Sequence, residues 1–259
     1  MLRAGKATNL ERLSFIEADL INDDGWTDAV KDCTYVLPVA SPLPASAPKN
    51  ENELIKPARE GTLRVLRAAR DAKVKRVVVT SSSAAIEGHG RQDRNKVLTE
   101  EDWSDVNAPG LGAYAKSKTL AERAAWDFIK NEDGGLELSV INPGMIAGPV
   151  LALDTSSSIE ANGERFLCLS QPQMSMKDIS LALRERLGDK AKRCPTRSIP
   201  DFVVRIMGIF DSGIVLVVPM LGQTFVVSVD NVLGWTPRSS VDAVVAAGES
   251  LYKLGLVKK

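Results

Sequence analysis

Cysteine, histidine and aromatic residues are scarce in this sequence. Its 259 residues include three cysteines, one histidine and 5% aromatic side chains. Cys33, Cys168 and Cys194 form no C-x-x-C pair, and one histidine is too few for a nitrogen-rich metal cage, so we expect no metal site. An odd number of cysteines without paired spacing also favours reduced thiols, and therefore a cytoplasmic protein.

The sequence also lacks excess charge and long hydrophobic runs. Because 33 basic side chains balance 33 acidic ones, no net charge attracts nucleic acid or anionic lipid, and we expect neither as a partner. The first residues contain no apolar segment typical of a secretory signal. Residues 212–229 are uncharged, but Pro219 and Gly222 interrupt them, and a membrane span needs about 20 mainly apolar residues. We therefore expect this run to be a buried core segment.

Strands and helices are predicted to alternate along the first 150 residues. Short β-branched runs predict strands, and apolar residues at three-and-four spacing predict helices. The predicted elements are a strand at 13–18, a helix near 26–30, a strand at 34–40, a helix at about 55–70, a strand at 74–80, a helix at 113–130 and a strand at 136–142. This order is typical of an α/β protein with a parallel sheet.

The alternating pattern weakens after residue 150. A short strand is predicted at 165–169, and Ser175 with Asp178 predicts a capping box that starts a helix ending near Gly188. A last helix is predicted at 241–254. We therefore expect two domains, residues 1–150 and a smaller accessory lobe at 151–259.

Tyr114 and Lys118 form the first candidate catalytic pair. They are four residues apart in the helix predicted at 113–130, so both side chains lie on one helical face. A lysine cation beside a phenol favours the phenolate, which allows tyrosine to exchange a proton with a developing alkoxide. The alternative is a tyrosine packed on the sheet beside a solvated lysine, since this spacing is common by chance.

Hydroxyl side chains follow the strand predicted at 74–80. Thr80, Ser81, Ser82 and Ser83 lie where a parallel strand ends, and a hydroxyl there can hydrogen-bond a carbonyl oxygen under reduction. The alternative is that some of these serines only bond the local backbone. Serine, tyrosine and lysine together are far more specific than the Tyr-Lys pair alone.

With these residues the chain resembles an extended short-chain dehydrogenase/reductase of the epimerase/dehydratase superfamily. It is most similar to the dihydroflavonol-reductase-like and yeast-type NADPH-dependent aldehyde reductases. The matching phrases occur in family order: Glu17 to Leu20, Val39 to Pro42, Pro57 to Thr62, Val79 to Ser82, Tyr114 to Lys118, Ile141 to Pro143, Gly148-Pro149 and Leu233 to Pro237. The resemblance implies a Rossmann-like parallel sheet with an accessory lobe.

The resemblance also implies roles for individual residues. Tyr114 would be the proton donor, Lys118 would promote its ionisation and bind the nicotinamide ribose, and Ser82 would orient the substrate carbonyl. The residues expected to bind the cofactor are Asp19, Leu20, Ala40, Ser41, Tyr114, Lys118, Pro143 and Gly144. Asp19 could instead cap a turn, and residues 39–42 could simply be the end of a strand. His89 is expected to be a solvated loop residue.

The activity implied is reduction of an aldehyde or ketone to an alcohol by NAD(P)H, with NADPH favoured over NADH. The partner would be a small carbonyl compound, and the chain would be a monomer or a homodimer. Two alternatives stay open. One is a nucleotide-sugar epimerase or dehydratase, and the other is a non-catalytic remnant that cannot hold cofactor.

The sequence departs from this family in two places. It contains no glycine-rich turn of the kind that binds the pyrophosphate, so we interpret the chain as a truncated or mis-spliced reductase whose sheet lacks its first βαβ unit. In the family's strand order this leaves a gap of two strand positions, each about 4.8 Å wide. Either residues 13–18 pair directly beside 34–40, or that sheet edge stays unpaired. The second departure is near residues 159–166. Two segments that a further helix separates in the family follow each other directly in this sequence.

Overall fold

The structure is a computed structural model that describes residues 11, 13–43, 47–88, 97–132, 135–148, 165–170, 173–215, 217–218, 221–222, 226–227 and 238–256. The strands are β1 (Tyr35–Val36), β2 (Arg76–Thr80), β3 (Val97–Leu98), β4 (Glu137–Pro143), β5 (Arg165–Cys168) and β6 (Val226–Val227). The helices are α1 (Trp26–Val30), α2 (Asn52–Asp71), α3 (Ala113–Lys130), α4 (Met176–Leu187), α5 (Asp201–Phe210), α6 (Ser212–Val215) and α7 (Ser240–Lys253).

The main sheet has four parallel strands in the order β1-β2-β4-β5. The carboxyl ends of the two central strands are aligned, since Thr80 of β2 is the register partner of Ile141 in β4. β3 and β6 form a separate parallel pair. The α/β class with a parallel sheet is therefore confirmed. β5, which follows residue 150 in the sequence, completes the sheet next to β4, and the division into two domains stays a prediction.

The core explains why the central strands contain continuous apolar runs. Val77, Val78 and Val79 are all buried, as expected for a parallel strand that is covered on both faces. Leu66 from α2 is fully buried in the cluster that contains Val77 and Val140. α2 and α3 also pack against each other, so both helices are fixed on the sheet.

The strand predicted at 13–18 does not form, and that prediction is wrong. These residues are irregular and exposed, with Phe15 85% exposed and Ile16 49% exposed. A strand needs a neighbour for its backbone hydrogen bonds, and in the described chain β1 pairs only with β2. Within the described residues the second expectation therefore applies, namely that the β1 edge of the sheet stays unpaired. β1 itself is also shorter than the predicted strand at 34–40.

The predicted helices are found close to their expected positions. α3 has the predicted bounds, α2 begins at Asn52 and ends at Asp71, and α1 spans the expected five residues. The capping box is confirmed, because the Ser175 hydroxyl accepts from the Asp178 backbone while the Asp178 carboxylate accepts from the Ser175 backbone. The Ser175 hydroxyl and the Ser175 backbone N–H both donate to the Asp178 carboxylate, and these bonds hold the pKa of Asp178 below its ordinary value.

Two features of the second half differ from prediction. Residues 201–210, for which no element was predicted, form α5, whose Phe202, Ile206 and Phe210 are exposed. The expected buried core segment at 212–229 is not buried where it is described, since Val215 and Val217 are 39% and 49% exposed. No described helix has the length and apolar character needed to cross a membrane. His89 and residues 233–237 lie outside the described residues.

Gly25 provides a stability test of the turn that starts α1. Its φ is +79°, and an added Cβ would overlap the carbonyl oxygen of Glu17. Gly110 has a similar φ of +81° with nothing within 4 Å of an added Cβ, so it is a matched control. We expect Gly110→Ala to cost about 1–2 kcal/mol for the left-handed backbone alone, and Gly25→Ala to cost clearly more. Urea unfolding measures both, and equal losses would show that the Glu17 contact is absent.

Candidate functional site

The candidate site lies at the carboxyl ends of β2 and β4, where α3 packs against the 3-10 turn Ser83–Ala85. This is the edge of a parallel sheet at which ligands bind in such folds. A small cavity is found there. Its lining residues are Leu20, Pro38, Ala40, Ser41, Gly61, Thr62, Val65, Val79, Thr80, Ser81, Lys118, Ala121 and Glu122.

Lys118 is the buried cation of this site. Its side chain projects from α3 into the cavity, and the residue is 7% exposed. Burial lowers the pKa of Lys118 to about 8, an effect that the nearby Glu122 carboxylate partly opposes. Its Nζ lies 5.9 Å from the centroid of the Tyr114 ring, one helical turn away. The structure therefore brings the predicted tyrosine and lysine together, and the lysine is not the solvated one of the alternative interpretation.

The three serines after β2 have different hydrogen bonds. Ser81 Oγ donates to Glu122 Oε2 at 2.6 Å. Ser83 hydrogen-bonds Glu87, whose pKa is raised by burial and is lowered less by this bond. Ser82 Oγ accepts from the backbone N–H of Ala84 at 3.2 Å, and no described residue accepts its hydroxyl hydrogen. Ser82 is therefore the serine whose hydroxyl can donate to a substrate oxygen.

Sequence reasoning missed a buried polar network behind these residues. Glu122 is 1% exposed and Asn142 is fully buried. Asn142 Nδ2 donates to Glu122 Oε2 at 2.8 Å and to the Ser82 carbonyl oxygen at 3.1 Å. The available signals were the spacing of four residues from Lys118 to Glu122 and an asparagine at the end of an apolar strand.

The residues predicted to bind cofactor are partly brought together. Leu20, Ala40 and Ser41 line the same cavity as Lys118. Asp19 is exposed, and its Oδ1 accepts from the backbone N–H of Ile21 at 3.1 Å, which is the turn cap of the alternative interpretation.

Pro143 and Gly144 lie at the carboxyl end of β4, but they do not line the cavity. Pro143 is the last residue of β4, and Gly144 follows it. An added Cβ on Gly144 would overlap the side chain of Leu169, so a close contact explains the glycine at this position.

The donor chemistry of the site fits the nicotinamide-ribose end of a dinucleotide. The Lys118 ammonium has three N–H donors, and none of them has an acceptor among the described residues. The Ser82 hydroxyl is a further donor. Donors of these kinds can hydrogen-bond ribose hydroxyls and a substrate oxygen. The described residues contain no cluster of three or more His, Cys, Asp or Glu side chains that could hold a metal ion.

A parallel sheet with a Tyr-Lys helix packed at its strand ends is the architecture of the short-chain dehydrogenase/reductase class. A sequence profile of the NAD dependent epimerase/dehydratase family matches residues 2–162. The chain belongs to this family, which uses a nicotinamide dinucleotide.

Curated relatives are reductases. Cinnamoyl-CoA reductase CAD2 of Medicago truncatula is 34% identical over 212 residues, which cover 76% of this chain and 64% of the relative. Dihydroflavonol 4-reductase of Zea mays is 36% identical over 177 residues, which cover 63% of this chain and 48% of the relative. The chain thus spans less than two thirds of the length of these relatives.

Solved structures confirm the fold. Yeast methylglyoxal/isovaleraldehyde reductase Gre2 complexed with NADPH has a TM-score of 0.68 to this chain at 20% identity, over 92% of this chain and 84% of that one. Gre2 of Candida albicans, also in complex with NADPH, has a TM-score of 0.67 at 22% identity, over 91% and 82% of the two chains.

Proposed function

We propose that the protein reduces an aldehyde or ketone to an alcohol with NADPH. The observation that carries this proposal is the buried Lys118 cation, which lies 5.9 Å from the Tyr114 ring at the carboxyl end of the sheet. Burial of a lysine cation is costly, and strongly perturbed titratable groups of this kind cluster at functional sites. The reductase relatives and the family support the same reaction.

The residues of the proposed site have separate tasks. Ser82 donates its hydroxyl hydrogen to the substrate carbonyl oxygen and so fixes its orientation. Tyr114 transfers its phenolic proton to that oxygen as the carbonyl carbon is reduced, which yields the alcohol. The Lys118 cation stabilises the phenolate that remains on Tyr114 and hydrogen-bonds the ribose. The cofactor supplies the hydride when bound.

The finer assignments belong to the same proposal. We favour NADPH over NADH because the two solved Gre2 reductases with this fold are NADPH complexes, whereas a UDP-glucuronic acid 4-epimerase with the same fold is a complex with NAD. We propose a small carbonyl compound as the substrate, as the reductase relatives suggest. Free thiols at Cys33 and Cys194 support a cytoplasmic protein. We propose a monomer or homodimer in two domains, residues 1–150 and 151–259, with NADPH binding weakened by the lack of a glycine-rich turn.

Turnover of the reduced cofactor tests the proposal. The purified chain is incubated with NADPH and a panel of aldehydes and ketones, and with nucleotide sugars in parallel, while absorbance of the reduced nicotinamide is followed. The proposal predicts consumption of NADPH with the carbonyl compounds only. Product formed from nucleotide sugars would favour an epimerase or dehydratase, and no turnover by folded protein would favour a non-catalytic remnant.

Alanine variants of Ser82 and Ser83 test which of the two serines acts in the reaction. We expect Ser82→Ala to lower turnover about 100-fold, the effect of removing one donor to the reacting oxygen. Ser83→Ala is the matched control, because Ser83 is equally buried but bonds Glu87 instead. We expect the control to keep most of the activity in the same assay. An equal loss in both variants would show that the two serines have no separate roles.

A further inference from the structure

Glu122 is a buried carboxylate that the mechanism above does not use. It lies on α3 one turn after Lys118, and the residue is 1% exposed. We propose that Glu122 is a positioning residue of the site, whose carboxylate fixes the strand ends around Ser82 and supplies the counter-charge of Lys118. This inference rests on the proposed reductase function, because Ser82 and Lys118 are assigned their roles there.

The hydrogen bonds of Glu122 connect three elements. Its Oε2 accepts from Ser81 Oγ at 2.6 Å, at the end of β2, and from Asn142 Nδ2 at 2.8 Å, near the end of β4. The same Asn142 amide donates to the carbonyl oxygen of Ser82 at 3.1 Å. A single carboxylate oxygen therefore ties α3 to both central strands. Since Ser82 is next to Ser81 and bonded through Asn142, its backbone is held from two sides.

The surroundings of Lys118 make Glu122 its counter-charge. Of the residues that line the cavity, Lys118 and Glu122 alone carry charge. α2 contributes Gly61, Thr62 and Val65 there, β2 contributes Val79 and Thr80, and the segment after β1 contributes Pro38, Ala40 and Ser41. α3 itself adds the Tyr114 phenol. In the described part of the chain, Glu122 is therefore the carboxylate that faces this cation, and its charge opposes the effect of burial on Lys118.

The positioning role predicts a change that a purely structural tie would not produce. Glu122→Gln has nearly the same shape and retains an acceptor oxygen for Ser81 or Asn142, but it removes the negative charge. The Lys118 ammonium then loses its counter-charge while it stays buried. We expect its pKa to fall below the wild-type value of about 8, by about one unit, the lower end of the effect of a nearby opposite charge.

Lysine labelled with ¹³C at Cε measures this pKa without any need for turnover. The Lys118 signal is assigned by its loss in Lys118→Met, and its titration is compared in wild type, Glu122→Gln and Glu122→Asp. We expect a lower midpoint in Glu122→Gln and a midpoint near the wild-type one in Glu122→Asp, which keeps the charge. Glu51→Gln is the matched control. Lys116 lies on α3 like Lys118, and its Nζ is 2.8 Å from Glu51 Oε1. The variant removes this carboxylate, and we expect no change in the pKa of Lys118.

Activity provides the second readout. Lys118 is charged below its pKa, so wild-type turnover is expected to fall as the pH rises through about 8. In Glu122→Gln this fall moves to lower pH, and we expect the ratio of wild-type to variant turnover to grow about fourfold between pH 6.5 and pH 8, as a shift of one unit below a pKa of about 8 implies. Folded Glu122→Gln with an unchanged Lys118 midpoint would overturn the inference.

Two further outcomes are distinguishable. If Glu122→Gln does not fold, the test uses the wild-type protein. The ¹³C chemical shift of the Glu122 carboxylate is then expected to change at the pH where Lys118 loses its proton. A Glu122 chemical shift that does not change there would overturn the inference. If no carbonyl compound is reduced but the lysine midpoint shifts, the proposed function fails while the Glu122–Lys118 pairing stands.

Discussion

Tyr114→Phe is expected to lower turnover of an aldehyde by about 10² to 10⁴-fold, the range of general acid catalysis. The variant keeps the ring that lies 5.9 Å from Lys118 Nζ and removes only the hydroxyl that gives the proton. NADPH affinity is expected to change little, because the ammonium and the strand-end hydroxyls remain. Turnover and NADPH fluorescence on the same preparation measure the two effects separately.

Tyr252→Phe is the matched control for the loss of a hydroxyl. Tyr252 lies in α7, where its ring is 5.1 Å from Lys190 Nζ, and it is outside the proposed site. We expect this variant to retain wild-type turnover. Tyr114→Phe with wild-type turnover would show that another group protonates the product, and the proposed mechanism would then be wrong.

Leu66→Ala is expected to lower the free energy of unfolding by about 2–5 kcal/mol, the cost of a cavity in a rigid core. Leu66 is fully buried between α2 and the central strands, in contact with the cluster that includes Val77 and Val140. Because β2 and α3 hold the site in place, we also expect the midpoint of thermal loss of activity to fall. Urea unfolding followed by circular dichroism measures the change in stability.

Leu43→Ala is the control for the same deletion at the surface. Leu43 is 75% exposed, so we expect a change within about 0.5 kcal/mol. Similar losses for Leu43 and Leu66 would contradict the packing of α2 on the sheet.

The sequence predicted the central elements because their local signals agree with their surroundings. α3 follows the proline- and glycine-containing loop that ends at Gly112, its apolar residues recur at helical spacing, and it is packed on the sheet as that pattern requires. β2 is a β-branched run covered on both faces, so its composition and its burial point to the same structure.

The elements that sequence reasoning missed depend on partners rather than on local pattern. Residues 13–18 have the composition of a strand but no described strand beside them, and they stay irregular. No element was predicted for residues 201–210, yet they form α5 with Phe210 85% exposed. The outcome at residues 13–18 cannot be derived from spacing alone.

The candidate site was predicted only in part, for a related reason. Tyr114 and Lys118 are on one helix, so their proximity follows from a spacing of four. Glu122 shares that spacing with Lys118, but its contacts with Ser81 and Asn142 depend on how α3 packs across two strands. Asp19 shows the opposite case, since a local turn explains its hydrogen bond without any cofactor.

Binding of NADPH to the purified chain is the most direct test of the central claim. NADPH and NADH are titrated into residues 1–259 and nucleotide fluorescence is followed, while far-ultraviolet circular dichroism shows that the chain is folded. We expect saturable binding that is tighter for NADPH than for NADH and is weakened in Lys118→Met, whose ribose contact is lost. Folded protein that binds neither nucleotide would contradict the proposed reductase function and would leave Tyr114 and Lys118 without a reaction to catalyse.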